Sequence, residues 1–225
     1  MSRFIHQRIT VTFILLLLFL LGIVFFLISI DLIGLAFRKL GFPPEYSALL
    51  LFLSLIGSYI NIPVMEKTSR EPVVSGRIVD FYWFRYVIPP IEVEHRTVIA
   101  VNIGGGIIPV LVSIFLIPLV NPADAVIGIF LMTFFIHLIA RPVKGLGIAV
   151  PALIPPVMAA ALALIISPQN APMLAYISGT LGSLIGADLL NLKKIPDLGA
   201  PVASIGGAGT FDGIFLTGII SVLLA

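Results

Sequence analysis

The feature that most constrains this chain is an apolar run from about Ile9 to Ile30 that contains no charged residue. About 20 such residues, wound as an α-helix, cross the roughly 30 Å hydrocarbon core of a bilayer. Further apolar stretches follow along the whole chain, which is 59% hydrophobic with a mean hydropathy of +1.17. Those values belong to multi-spanning membrane proteins and not to water-soluble domains of this length. Lipid cannot satisfy open backbone groups, and the runs lack the alternation of barrel strands, so the spans should be helices.

The expected fold is therefore an all-α polytopic membrane protein of one domain, residues 1–225, with about seven transmembrane helices and a small β-hairpin. The spans fall at about 9–30, 45–62, 97–120, 123–140, 148–167, 171–190 and 201–225, with a polar region over 64–96. The first run is too long for a signal-peptide core and no small-residue cleavage site follows, so it reads as an uncleaved helix. Between Val64 and Arg96, β-branched and aromatic residues and the alternating Ile91 to Thr97 segment predict a hairpin lying on the membrane surface. Tyr82, Trp83 and Tyr86 suit an interfacial belt, and the Pro89-Pro90 pair demands a longer connection than a two-residue turn.

Seven spans put eleven of the thirteen Lys and Arg residues on the side of the N-terminus, leaving Arg38 and Lys39 on the other. By the positive-inside rule the N-terminus and hairpin are cytoplasmic and the C-terminus lies outside. The expected location is an integral membrane position, in a prokaryotic cell membrane, with membrane lipids as surroundings. The small positive charge comes from these loops and gives no case for nucleic acid. With no cysteine in the chain, disulfides, thiolate ligands and a cysteine nucleophile are excluded. Alternation places Glu92 and Glu94 on one strand face and His95 on the other, so no metal site is expected there, and no cofactor is called for. His137 reads as a helix-end residue. Nothing in the sequence sets an oligomeric state.

Two apolar segments near the C-terminus each carry one aspartate, Asp188 after Gly186-Ala187 and Asp212 after Gly206 to Phe211. An aspartate at a helix centre in lipid costs about 2.5 to 3.5 kcal/mol on insertion scales, which makes it a candidate functional residue. Two carboxylates close together in a low-dielectric pocket share a proton. The charged one can then activate water while the protonated one polarises a carbonyl. Gly206, Gly207 and Gly209 would let a substrate backbone approach, and Thr210 could cap a helix beginning near Asp212.

This arrangement resembles the presenilin and signal-peptide-peptidase group of intramembrane aspartic proteases, and more loosely the prepilin peptidases. Those families carry one aspartate on the sixth span and another, after Gly-x-Gly, on the seventh. They also carry a Pro-Ala-Leu tripeptide beside the active site, matched here by Pro151-Ala152-Leu153. The chain as a whole resembles an uncharacterised family of prokaryotic multi-pass membrane proteins, a domain of unknown function. The resemblance implies catalytic Asp188 and Asp212, substrate contacts from Gly206, Gly207, Gly209, Thr210, Pro151, Ala152 and Leu153, and a transmembrane peptide as substrate. This sequence differs from the protease pattern in that Thr210 and Phe211 separate Gly209 from Asp212, Ala187 stands where a tyrosine is usual, and the tripeptide opens span 5.

Depth poses a geometric problem. Asp188 lies near the end of span 6, whereas Asp212, eleven residues beyond Pro201, would be roughly 16 Å into a straight span 7. The two meet only if Ile205 to Gly209 is irregular or span 6 is extended. Two other readings stand beside the protease. One is an ion- or proton-coupled transporter whose broken helix at Asn102, Gly104 to Gly106 and Pro109 binds a solute. The other is a scaffold in which each aspartate is tied to its own partner, Lys193 or Lys194 in the case of Asp188.

Overall fold

The structure, a computed structural model, describes residues 3–74, 77–81, 84–88, 91–145, 147–207 and 213–225, with side chains for 13–68, 96–145, 147–196, 198–207 and 213–225. It is mostly helical. Helix α1, Arg3–Lys39, continues well past the expected end of the first span. It stops at Gly41, whose φ of +87° supplies the left-handed turn that helix C-termini favour. Pro43 and Pro44 then start α2, Pro44–Gly57, since a proline at the first helical position loses no hydrogen bond. Helix α3 covers Ile108–Leu116, and α4, Pro122–Ile139, is capped by Asn121, whose Oδ1 accepts from the Ala123 amide at 2.9 Å.

The polar region forms a longer ribbon than expected. Strand β1, Asn61–Val74, pairs antiparallel with β4, Ile91–Asn102, and the connection between them is itself a hairpin of β2, Arg77–Phe81, and β3, Phe84–Ile88. Two of the expected spans need correcting at their starts. Residues 97–102 complete β4, and residues 202–205 form β7, Val202–Ile205, which pairs parallel with β4 from Val98↔Val202 to Val101↔Ile205. The physical reason is burial of β4 between β1 and β7: a central strand covered in this way reads as a continuous apolar run, which hydropathy alone cannot tell from a helix. A further strand pair, β5 (Arg141–Val143) with β6 (Gly147–Ala149), delays the start of α5, Ile154–Ile166, in the expected span 5.

Helix α6, Ala171–Ser183, is the hub of the molecule and packs against α3, α4, α5 and the last helix, α7, Gly213–Leu224. Its small residues make this possible. A Cβ added at Gly182 would overlap the Met132 side chain, and one at Gly186 would lie 2.6 Å from the Thr133 carbonyl oxygen, so α4 crosses almost backbone to backbone. A separate cluster at this crossing holds Met132, Ile136, Ala159 and Ala187, while the main apolar core gathers Phe37 of α1 and Leu40 just after it, Leu116 of α3, Tyr176 and Ile177 of α6 and Phe215 of α7. Lys39 ties α1 to the far end of the chain by donating to the carbonyls of Val222 and Leu223, the last acceptors of α7.

Among the described residues three helical stretches are long and apolar enough to cross a membrane by length and composition: Phe13–Lys39, Pro122–Ile139 and Pro168–Asn191. The apolar helices at 44–57, 103–119, 154–166 and 213–224 are shorter. The three long stretches differ in burial: none of the most apolar window of the first is covered by protein, against 61% for the last. The last is the one that carries Asp188.

Candidate active site

Helix α6 does not end in a regular α-turn. Leu184–Asp188 form a π-helical turn, which holds one more residue than an α-turn. The extra residue acts as an insertion, so Asp188 takes the place that a fourth residue after Ser183 would hold, one turn on and on the same face. A widened turn leaves carbonyls to satisfy, and buried Asn191 supplies the donors. Its Nδ2 donates to Gly186 O at 3.3 Å and Ala187 O at 2.9 Å, while His137 Nδ1 lies 3.2 Å from Gly186 O. Lys194 donates to Asn191 Oδ1 at 2.9 Å and so holds the amide in that orientation.

The Asp188 carboxylate is fixed from the other side by the chain after β7. The Gly206 amide donates to its Oδ2 at 3.0 Å. Gly206 and Gly207 have φ of +81° and +88°, which a residue with a side chain rarely adopts. A Cβ at Gly206 would also lie 2.6 Å from the backbone N and Cα of Gly106, so no larger residue fits. Gly106 belongs to a second π-turn, Ile103–Ile107, and the two widened turns thus flank the same glycine.

That second turn is closed chemically. Asn102, 1% exposed, accepts from the Gly105 amide at 2.8 Å and donates to Ser58 O at 2.7 Å and Asn61 Oδ1 at 3.0 Å. Ser204 of β7 donates to the same Asn61 oxygen at 2.6 Å. Gly104 sits so tightly against the end of α2 that a Cβ there would overlap Ser54 O. The Asn102 amide, expected in the transporter reading to meet a solute, is engaged in joining α2, β1 and this turn.

Asp188 opens instead onto a cavity of about 480 Å³, within the usual range of ligand sites. Every residue of β6 and of β7 lines it. Among the described residues β7 pairs with β4 alone and β6 with β5 alone, so each of these cavity-lining strands has one edge without a strand partner. Pro151 and Ala152 line it as well, whereas Leu153 is 71% exposed and does not. Of the residues expected at the site, Asp188, Gly206, Gly207, Pro151 and Ala152 therefore come together. Asp212, Gly209 and Thr210 lie outside the described residues, and Gly207 and Gly213, on either side of residues 208–212, both line the cavity. Residues 202–205 of the expected span 7 are strand, and α7 is described from Gly213.

Sequence reasoning missed three contributors. Ser183 and Asn191 have no site role in the sequence reading, and residues 148–149 of β6 and all of β7 fall in expected helical spans. An asparagine three residues beyond an intramembrane aspartate, at a helix end, is the signal that could have identified the cap. Among the described residues no group of three His, Asp or Glu side chains is placed to hold a metal ion.

Comparison with curated proteins and with solved structures returned no match. One family model does match, over residues 55–224, a range that begins late in α2 and takes in every strand, both π-turns and the whole cavity. The chain belongs to the DUF1614 family, proteins of unknown function.

Proposed function

We propose that this chain is an intramembrane aspartic peptidase in which Asp188 and Asp212 share a proton and hydrolyse a peptide bond of a membrane-embedded segment. The observation that carries this reading is a held carboxylate, Asp188, in a cavity lined by two strands, each with one edge without a strand partner, and by Pro151-Ala152. A peptide entering the cavity as an extended segment gains main-chain hydrogen bonds from the β7 edge, whatever its side chains. Gly213, directly after Asp212, lines the same cavity, which supports the second aspartate as partner. The spans are seven in this reading, with the N-terminus and ribbon cytoplasmic.

In the reaction the charged aspartate takes a proton from water as the water oxygen adds to the carbonyl carbon, and the protonated aspartate gives its proton to the carbonyl oxygen. The tetrahedral gem-diol then breaks its C–N bond. The proton held by the first aspartate passes to the departing nitrogen while one gem-diol hydroxyl returns its proton to the second aspartate, leaving a carboxylic acid and an amine and restoring the shared proton. The Gly206 amide and the capped π-turn keep Asp188 in place through both steps, and a preset carboxylate spares the cost of reorganisation.

The test is hydrolysis of a single-span reporter peptide by the purified chain in proteoliposomes, with products identified by mass. Cleavage by the wild type and a rate lower by about 10² or more in Asp188→Asn and in Asp212→Asn is expected. Cleavage at near wild-type rate after either substitution refutes the dyad.

A further inference from the structure

Hydroxyl groups in helices commonly donate back to a carbonyl one turn earlier, and this chain follows the habit. Ser29 donates to Phe25 O at 2.8 Å, Ser47 to Pro43 O at 3.2 Å, Ser113 to Pro109 O at 2.9 Å and Thr217 to Gly213 O at 2.6 Å. Ser183 departs from it. The residue is 5% exposed, and its buried hydroxyl has no hydrogen-bond partner. A buried donor without an acceptor costs stability, so its retention calls for a reason.

Ser54, Thr133 and Ser178 also have buried hydroxyls without a partner, but none of them lines the cavity; Ser183 does. The other hydroxyls on the cavity wall are already donating, Ser204 to Asn61 and Thr217 to Gly213. The π-turn sets Asp188 one turn beyond Ser183 on the same helix face. Ser183 thus brings a buried, unpartnered hydroxyl to the cavity wall one turn from the Asp188 carboxylate.

We propose that Ser183 is a substrate-binding residue of this cavity, its Oγ–H donating to the carbonyl oxygen of the peptide bond held beside Asp188. The inference rests on the peptidase reading and adds to it a donor for the oxygen on which negative charge develops. A carbonyl oxygen accepts more strongly as it approaches the tetrahedral state, so the bond favours turnover more than binding. The orphan hydroxyl is then a group prepared for substrate, a local loss of stability recovered when substrate binds.

The experiment compares full-length wild type, Ser183→Ala, Ser183→Cys and Ser178→Ala, with Asp188→Asn as the inactive reference, on the reporter peptide in proteoliposomes. Thermal unfolding of each is followed in parallel. Ser183→Ala is expected to lower kcat about tenfold with little change in KM, the loss of one neutral hydrogen bond. Its Tm should hold or rise, by up to about 4 °C, because a buried unpaired group has been removed. Ser183→Cys, a weak donor, should fall between, and Ser178→Ala should keep wild-type kcat. Full kcat in Ser183→Ala overturns the proposal, as does a loss of kcat accompanied by a lower Tm, which marks a structural role. If the wild type does not cleave at all, the peptidase reading fails and this inference goes with it. That failure is read in the wild-type arm, apart from the Ser183 variants.

Discussion

The two π-turns of this molecule are built alike and used differently. Ile103–Ile107 and Leu184–Asp188 each widen a helix by one residue, each meets the turn at Gly206, and each is held by one buried asparagine. At the first, Asn102 directs its whole amide inward to Gly105, Ser58 and Asn61, and the result is a joint between α2 and the sheet. At the second, Asn191 satisfies the carbonyls from behind, and the widened turn points a carboxylate into a cavity. Widened turns are frequent at functional sites, but the irregularity is not itself the function. What distinguishes the two is which polar group is spent on the fold.

That contrast can be broken most sharply at Asp188. Asp188→Asn keeps an acceptor for the Gly206 amide, so the fold should persist while peptide hydrolysis falls by about 10²–10⁴-fold, the usual worth of a positioned acid or base. At the other turn Asn102→Ala should do the opposite, costing about 2–4 kcal/mol in thermal unfolding through the lost bonds and the donors and acceptors left buried. Its activity per folded molecule should stay near wild type. Asn191→Ala lies between them. Loss of the cap should cost about 1–2 kcal/mol and also reduce kcat several-fold, because Asp188 is less well placed. The smallest effect is expected at Leu153→Ala, since this exposed side chain lies off the cavity wall; both kcat and Tm should stay close to wild type.

Much of the helical framework could be read from hydropathy: the apolar runs expected at 123–140 and 171–190 correspond to α4, Pro122–Ile139, and to the helical stretch that opens with α6 at Ala171. The ribbon was legible from the β-branched and charged residues between Val64 and Arg96. Strands β4 and β7 were not, since Val98 to Val101 and Val202 to Ile205 lie in runs as apolar as a span and show no clear alternation to mark them as strand. Asp188 stood out because a charge amid apolar residues is expensive. Gly206 was singled out for backbone approach, and its N–H contact with that carboxylate appeared only in three dimensions. The joint at Asn102 looked the same in sequence as a broken-helix ligand site, since both need a polar residue followed by glycines, and only the hydrogen bonds of the amide tell them apart.

The central claim is that Asp188 and Asp212 face one another across the cavity, and the absence of native cysteine gives direct access to it. The measurement is cross-linking of an Asp188→Cys, Asp212→Cys double variant in membranes, using oxidation to a disulfide or a short bifunctional thiol reagent. Disulfide formation needs Cα atoms about 4.4–6.8 Å apart. The account predicts rapid intramolecular cross-linking in this double variant and none in a control that combines Asn102→Cys with Asp212→Cys. No cross-link between positions 188 and 212 with either reagent, in protein that remains folded, would contradict it.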